Sequence, residues 1–297
     1  MPAWWTSGVR WRRPWRRLHR ALALMMTGLA LLSQVACSPV TGSSTLPQGP
    51  AIPVGITIDE PGVSLEHDGA YSGLDVDVAR YVTGVLGYGQ SQVVFVPVSV
   101  QDVSEKLESG TIDVAFSALP ADAGSGKAWQ YVGPYLSARQ GLMVRADDRK
   151  DISGPGALAN RVVCVVDGSG ADVEVGRRSH DAVISSRASY KKCLTALMVG
   201  QADAVAGDDA VLSGLVKAEG AGLVAMSSWR YGQSPHGVVV RSGATELSRT
   251  VKAALVRMVR DGSWAKMAAS LRENADYRVA STLTIDHIEI HGGSVSS

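Results

Sequence analysis

Asp208 is the side chain whose type and position most directly suggest a binding role. It follows the short apolar strand predicted over 203–206 and comes just before a helix predicted from about Ala210. Open α/β sheets bind ligands in the crevice beyond the ends of such strands, so a carboxylate there could pair with a cationic nitrogen. The alternative is a helix N-cap, a common role for Asp at a helix start, although Asp209 is predicted to take that role.

A second turn, Ser169-Gly170, is predicted at the end of the apolar strand over 161–166. A hydroxyl and backbone N–H groups in front of a helix favour an anion. The alternative is a plain glycine-rich turn. An amino acid zwitterion would need both features: an anion for its ammonium group and donors for its carboxylate.

Other chemistry is not indicated. The sequence contains no Ser-His-Asp arrangement, P-loop or dinucleotide-binding fingerprint, so neither an enzyme nor a cofactor is predicted. An extended C-terminal segment would place His287, Glu289 and His291 on one face, a set that could bind a metal ion. A solvated edge strand or a frayed terminus is favoured instead, and no metal site is predicted.

The composition is that of a globular protein, with 297 residues, 45% hydrophobic and 19% charged. These values exclude a disordered, collagen-like or polytopic membrane protein. Six of the 29 basic residues are arginines within the first 20 positions, ahead of all 28 acidic residues. Beyond residue 36 the chain has 23 basic and 28 acidic residues, a net charge of −5, which lacks the basic footprint that nucleic-acid binding needs.

The segment 1–36 is predicted to be an export signal. Its arginine cluster precedes an apolar run over 21–32, and small residues lead up to Cys37. The apolar run is shorter than the roughly 20 residues of a membrane span. A buried helix of the fold is the alternative. The segment 38–50 is uncharged and rich in Pro, Gly, Ser and Thr, which predicts a flexible tether.

Cys164 and Cys193 remain in the folded part. Disulfides persist in exported proteins, and a bridge closing a loop of roughly 30 residues could stabilise the fold by about 3–4 kcal/mol. Two buried free thiols are the alternative. Because no Cys-x-x-Cys spacing occurs, structural zinc is not predicted.

Strand-like and helix-like runs alternate from residue 53 onward, which predicts an α/β fold. Besides those already named, strands are predicted over 54–58, 93–96, 111–116, 142–145 and 237–240. Helices are predicted over 74–85, 102–110, 190–199, 246–260 and 264–271. Asp102 and Glu105 are expected to form a capping box at the start of the second of these helices.

Five short motifs, in this order and spacing, resemble the extracellular solute-binding proteins that deliver polar amino acids to ABC importers. The similarity is closest to the glutamate/glutamine-type lipoproteins of actinobacteria and covers roughly residues 52–272. The motifs are DEPG at 59–62, YSGLDVDVA at 71–79, LESGTID at 107–113, ADAVAGDDAVL at 202–212 and DGSW at 261–264.

The resemblance implies a two-lobed, periplasmic-binding-protein-like fold of type II. Two extended crossings, near 140–144 and 235–239, would join the lobes, and hinge closure would bury the ligand in the cleft between them. The implied division is a lipid-anchored tether at 37–51, lobe 1 at 52–140 plus 239–275, lobe 2 at 143–235 and a C-terminal tail at 276–297.

The resemblance also implies a set of ligand-binding residues. Asp208 matches the acid that binds the ligand ammonium, and Ser169 with Gly170 matches the loop that binds its carboxylate. Thr57 and Asp59 would face the ligand side chain, although both could equally be plain turn residues. The set is completed by Ala118 and Ser125.

The carboxylate half of the implied site departs from the family pattern. Ser125 stands where relatives have an arginine that binds the ligand carboxylate. Pro120 stands where a threonine normally donates a hydrogen bond to the ligand, and Val100 stands where many relatives have an aromatic side chain in the wall. Lys127 or Arg139 could substitute for the arginine. The loss of a charge-assisted contact, about 1.5–3 kcal/mol, predicts weak binding of free amino acids or a preference for another ligand.

The resemblance finally implies a lipid on Cys37, a disulfide between Cys164 and Cys193, an ABC permease as partner, and a monomer on the outer face of the cell membrane. We therefore expect a lipoprotein that captures a glutamate- or glutamine-like solute without catalysis. One alternative is a degenerate receptor that senses a ligand or recruits partners without transport. Another is a cyclohexadienyl-dehydratase-like enzyme, which would need the missing arginine.

Overall fold

The computed structural model describes residues 46–118, 129–219, 222–280 and 282–292. These residues form an α/β fold with a nine-stranded mixed sheet, a small three-stranded sheet and seven α-helices. Four residues discussed above, Cys37, Pro120, Ser125 and Lys127, lie outside the described residues.

The strands and helices are numbered in chain order. The strands are β1 (Ile52–Ile56), β2 (Asp59–Glu60), β3 (Ser64–His67), β4 (Ala70–Ser72), β5 (Val93–Pro97), β6 (Val114–Ser117), β7 (Trp129–Arg145), β8 (Val162–Val166), β9 (Val183–Arg187), β10 (Ala204–Asp208), β11 (Val224–Arg241) and β12 (Glu289–His291). The helices are α1 (Leu74–Val85), α2 (Val103–Glu108), α3 (Ala171–Gly176), α4 (Tyr190–Met198), α5 (Asp209–Glu219), α6 (Thr245–Arg260) and α7 (Ser263–Ala275).

Two long strands, β7 and β11, connect the two halves of the large sheet. The strand order is β5-β1-β6-β11-β7-β10-β8-β9, with β12 beside β7. In one half β1 is parallel to β5 and β6, and in the other β8 is parallel to β9 and β10. The antiparallel pair β7 and β11, 17 and 18 residues long, runs through both halves with three register shifts. These strands are the two crossings of the predicted two-lobed, type II fold.

The helices pack on the sheet through apolar faces with the spacing that the sequence predicts. In α6, Leu247, Val251, Leu255 and Met258 recur every three or four residues, and each is buried. Each such side chain stabilises the fold by about 1.5–3 kcal/mol when fully buried. None of the helices in the described ranges combines the length and the apolar character needed to cross a membrane.

A disulfide joins Cys164 of β8 to Cys193 of α4. Both residues are fully buried, and 29 positions separate them in the sequence. The bridge fixes α4 against the sheet directly after its first turn, which begins at Tyr190. The predicted pairing is therefore present, rather than two free thiols.

Several elements differ from the predictions. The small sheet β2–β4 and the strand β9 were not predicted, because each is short and polar. The predicted capping box of α2 is wrong. Asp102 accepts from the Ser99 N–H at 2.8 Å and pairs with Lys106 Nζ at 2.7 Å, so it stabilises the turn before the helix instead.

The described end of the predicted tether packs against the fold. The Tyr88 hydroxyl donates to the Pro47 carbonyl at 2.9 Å, and the Gln92 side-chain amide donates to the Pro50 carbonyl at 2.8 Å. Leu46 packs on the hydrophobic core. Residues 46–50 therefore contact the folded part, which composition alone does not reveal, and the flexible tether stays a prediction.

Candidate functional site

A cavity of about 430 Å³ opens beyond the carboxyl ends of the parallel strands of both sheet halves. One wall follows β1, β5 and β6, and the opposite wall follows β8, β9 and β10. At the rim, the Gln101 side-chain amide donates to the carbonyl of Asp167 on the opposite wall. Strand ends of this kind are where open α/β sheets place ligands, as the sequence predicts.

Five of the seven predicted ligand-binding residues line this cavity. They are Thr57, Asp59, Ala118, Ser169 and Asp208. Of the other two, Gly170 is not among the described residues of the wall, and Ser125 lies outside the described residues.

Of the two possible substitutes for the missing arginine, Arg139 lies within the described residues. Arg139 is not part of the described cavity lining, and its guanidinium donates to the Arg230 carbonyl at 2.8 Å. Lys127 lies outside the described residues. Arg139 is therefore engaged elsewhere, and the prediction that it could grip a ligand carboxylate finds no support.

Asp208 is both a cavity-wall residue and a helix cap. It is the last residue of β10 and is only 2% exposed. Its Oδ1 accepts from the backbone N–H groups of Ala210 and Val211 at 2.9 and 3.0 Å, the contacts of an N-cap. Its Oδ2 lies 3.1 Å from Nε2 of His236. A carboxylate oxygen has two lone pairs, so Oδ2 can accept one further donor.

Asp209, which was predicted to cap the helix, has another role. Its Oδ1 accepts from the Arg139 backbone N–H at 3.0 Å, and its Oδ2 pairs with Arg230 Nε at 3.2 Å. β10 continues through Asp208, two residues further than predicted, and this moves the cap position from 209 to 208.

Tyr190 supports Asp208 from the start of α4. Its hydroxyl accepts from the Asp208 N–H at 3.3 Å and forms part of the cavity lining. A Cβ at Gly207 would collide with the Tyr190 ring, so a glycine is required for this approach. Burial, and then the charge of Asp208, raise the pKa of Tyr190 well above its usual value, which keeps the phenol protonated.

The cavity lining is acidic. Its carboxylates belong to Asp59, Glu60, Glu66, Asp167 and Asp208, and Lys191 is the one Lys or Arg among the described lining residues. Closely spaced acids surrounded by low-dielectric walls attract cations.

Burial and the neighbouring acids change the pKa of Glu60. It is 7% exposed and accepts from the Thr57 hydroxyl at 2.8 Å. Burial, and then the charges of Asp75 and Asp59, raise the pKa of Glu60 to about 8. Glu60 therefore holds a proton at neutral pH until a cation approaches.

The lining also has acceptors without donors. Within the described residues, Oδ2 of Asp59 and Oε1 of Gln140 are buried and have no hydrogen-bond partner. A buried unpaired acceptor costs about 1–3 kcal/mol, so a ligand rich in N–H groups would relieve that cost. Neither Gln140 nor Glu60 was predicted, although Glu60 lies in the DEPG motif whose Asp59 was.

Ser169 contributes a polar group to the wall while shaping its own turn. Its hydroxyl oxygen accepts from the Ala171 N–H at 3.3 Å, and Gly170 adopts the left-handed conformation with φ 74°. Ser169 therefore both stabilises its turn and lines the cavity, and its role in ligand binding stays a prediction.

The C-terminal histidines form no metal site in the described part of the chain. β12 pairs with β7, and His291 Nε2 lies 3.6 Å from Glu289. His287 Nδ1 contacts the Thr284 hydroxyl at 3.0 Å. Glu289 and His291 thus lie on a strand, whereas His287 ends a short 3-10 helix before it.

Comparison with known proteins decides the family. The model of the bacterial extracellular solute-binding proteins, family 3, matches residues 52–271. The chain belongs to this family. It is therefore an exported solute-binding protein, and its type II fold is the one the motifs predict.

Named relatives of this family 3 protein bind amino acids. The glutamate-binding protein GluB of Corynebacterium efficiens is 26% identical over 266 residues, covering 85% of this chain and 90% of the relative. The glutamine-binding protein GlnH of Bacillus subtilis is 24% identical over 204 residues, covering 68% of this chain and 73% of the relative. Among solved structures, an ancestral arginine-binding protein bound to glutamine has a TM-score of 0.68 at 25% identity, covering 74% of this chain and 97% of that one.

Proposed function

We propose that this solute-binding protein captures a small amino acid or amino-acid analogue between two lobes and presents it to an ABC permease. The lobes would be 52–140 plus 239–275, and 143–235. One observation carries the proposal: Asp208 is buried, fixed by three contacts and placed on the cavity wall. A ligand ammonium could donate to the remaining lone pair of its Oδ2. The names of the relatives support an amino-acid ligand and a transport role.

The ligand class follows from the charge of the wall. We expected a glutamate- or glutamine-like ligand, but an acidic side chain would meet the carboxylates of Asp59 and Glu66 beside the protonated Glu60. A neutral amide or a cationic side chain would instead donate to these acids and to Gln140 Oε1. We therefore favour glutamine- or arginine-like solutes over glutamate, with no catalysis.

A thermal-shift series tests this proposal. Purified protein is heated with L-arginine, L-glutamine, L-glutamate or agmatine, which is arginine without its carboxylate. A ligand at a hundredfold excess over its Kd stabilises the folded state by about 2.7 kcal/mol, which for a protein of this size is a Tm increase of about 5–10 °C. We expect arginine and glutamine to raise Tm more than glutamate.

The four compounds also separate the two halves of the site. If agmatine raises Tm as much as arginine does, no group of the protein binds the ligand carboxylate. This result would agree with the presence of Ser125 at the arginine position. A dominant response to glutamate would contradict the preference derived from the acidic wall. No response to any amino acid at millimolar concentration would contradict the proposed function.

We further propose that the chain is anchored by a lipid on Cys37 after removal of 1–36. The basic cluster, the short apolar run and the cysteine after Ala36 support this anchor. Mass spectrometry of the mature N terminus is expected to find an acylated Cys37. An unmodified Cys37, or a cut at another residue, would contradict the anchor.

A further inference from the structure

His236 joins two carboxylates, one from helix α1 and one from strand β10. It lies on β11, and its side chain is fully buried. Its Nδ1 is 3.1 and 3.3 Å from the two carboxylate oxygens of Asp75, in the first turn of α1. Its Nε2 is 3.1 Å from Oδ2 of Asp208, at the end of β10. Asp75 and Asp208 are 0% and 2% exposed, so the three groups form a buried chain.

The geometry of this chain favours a ring with a proton on each nitrogen. An ionised carboxylate only accepts hydrogen bonds, whereas a neutral imidazole has one donor nitrogen and one acceptor nitrogen. A neutral His236 would therefore set a lone pair against one of its two carboxylates. A doubly protonated ring donates to both, and each bond is then charge-assisted.

The charges around the ring also favour a doubly protonated His236. Burial alone would lower the pKa of His236, but Asp75 and then Asp208 outweigh it and raise that pKa well above its usual value. Tyr135 of β7 packs edge-on at 6.1 Å between ring centroids, and burial together with Asp75 raises its pKa well above the usual range, so it brings no charge. Glu60, with a pKa of about 8, is protonated at neutral pH.

We propose that His236 is a positioning residue for ligand capture, an internal cation that keeps Asp208 ionised and its Oδ2 fixed at the cavity wall. This role rests on the proposed function, because it serves binding only if Asp208 receives the ligand. Without the imidazolium, Asp75 and Oδ2 of Asp208 would lose the cation between them, and two carboxylates would face one buried space, with only Oδ1 of Asp208 still bonded to its two backbone donors. Such a pair takes up a proton, which would neutralise or turn the acid that a ligand ammonium needs.

An NMR titration of the ligand-free protein between about pH 5 and 8, where an ordinary histidine loses its proton, tests this role. It follows the His236 ring nitrogens and the aspartate carboxyl carbons in the wild type, His236→Gln and Asp75→Asn/His236→Gln. In the wild type we expect an imidazolium and an ionised Asp208 throughout. In His236→Gln the Asp208 carboxyl should take up a proton within this range. The double variant, which has no second carboxylate, should return Asp208 to the ionised state.

Two further variants provide a matched control and a second test of the His236 protonation state. His180→Gln, at an exposed histidine, is the matched control and should leave the Asp208 signal unchanged. Asp75→Asn keeps an acceptor for Nδ1 but removes its charge, so the His236 ring should begin to lose its proton within the same pH range. This second result decides the matter if His236→Gln does not fold.

A ring that is neutral at pH 7 in the wild type would overturn the proposal, and so would an Asp208 carboxyl that stays ionised in His236→Gln. None of these measurements uses a ligand. If no amino acid stabilises the protein in the thermal-shift series, the proposed function is contradicted. The protonation state of His236 measured by NMR does not depend on that result.

Discussion

Replacing Asp208 by Asn is expected to weaken ligand binding by about 10- to 150-fold, the equivalent of one charge-assisted hydrogen bond of about 1.5–3 kcal/mol. The fold should survive, because the Asn side-chain oxygen can still accept from the N–H groups of Ala210 and Val211. The Asn amide can donate to Nε2 of His236 once that ring gives up its proton. The loss of affinity would thus reflect the missing negative charge rather than a misplaced helix.

Isothermal titration with the best ligand of the thermal-shift series measures this loss. The matched control is Asp172→Asn, which removes the same charge from an exposed position in the first turn of α3, outside the described cavity lining. The control should bind as the wild type does. Equal affinities of Asp208→Asn and the wild type would mean that the ammonium site has been assigned to the wrong residue.

Removal of the Cys164–Cys193 disulfide is expected to lower the free energy of unfolding by about 3–4 kcal/mol. The expected size follows from the 29-residue separation of the two cysteines, since the cross-link limits the freedom of the unfolded chain. The double variant Cys164→Ala/Cys193→Ala is preferred to serine, because both positions are fully buried and a hydroxyl there would lack a partner.

Urea unfolding of the double variant, the wild type and the reduced wild type checks this prediction. Reduction should lower the midpoint of the wild type and leave that of the double variant unchanged. A midpoint that is the same for the oxidised wild type and the double variant would contradict a stabilising bridge.

Most of the candidate site could be predicted because it depends on local sequence. Thr57, Asp59, Ser169 and Asp208 each follow an apolar run, and the ends of parallel strands meet at one edge of a sheet. The pattern of each run therefore brings these residues together without knowledge of the packing. The same reasoning predicted the alternation of strands and helices and most of the helix bounds.

The parts that could not be predicted depend on contacts between distant segments. His236 lies in the strand segment SPHGVVV, where nothing local indicates a charge, and its partners are 161 and 28 residues away. The choice between Asp208 and Asp209 as helix cap depended on where β10 ends. The pairing of Asp208 with Gln140 of β7 decides that end, and this pairing is not visible in either segment alone.

The most direct test of ligand capture at Asp208 is a crystal structure of the protein with the best ligand of the thermal-shift series. We expect a ligand nitrogen within about 3 Å of Asp208 Oδ2, the distance of a charge-assisted hydrogen bond, with its side chain toward Asp59 and Glu60. A ligand bound elsewhere, or one in this cavity whose nitrogen avoids Asp208, would contradict that role.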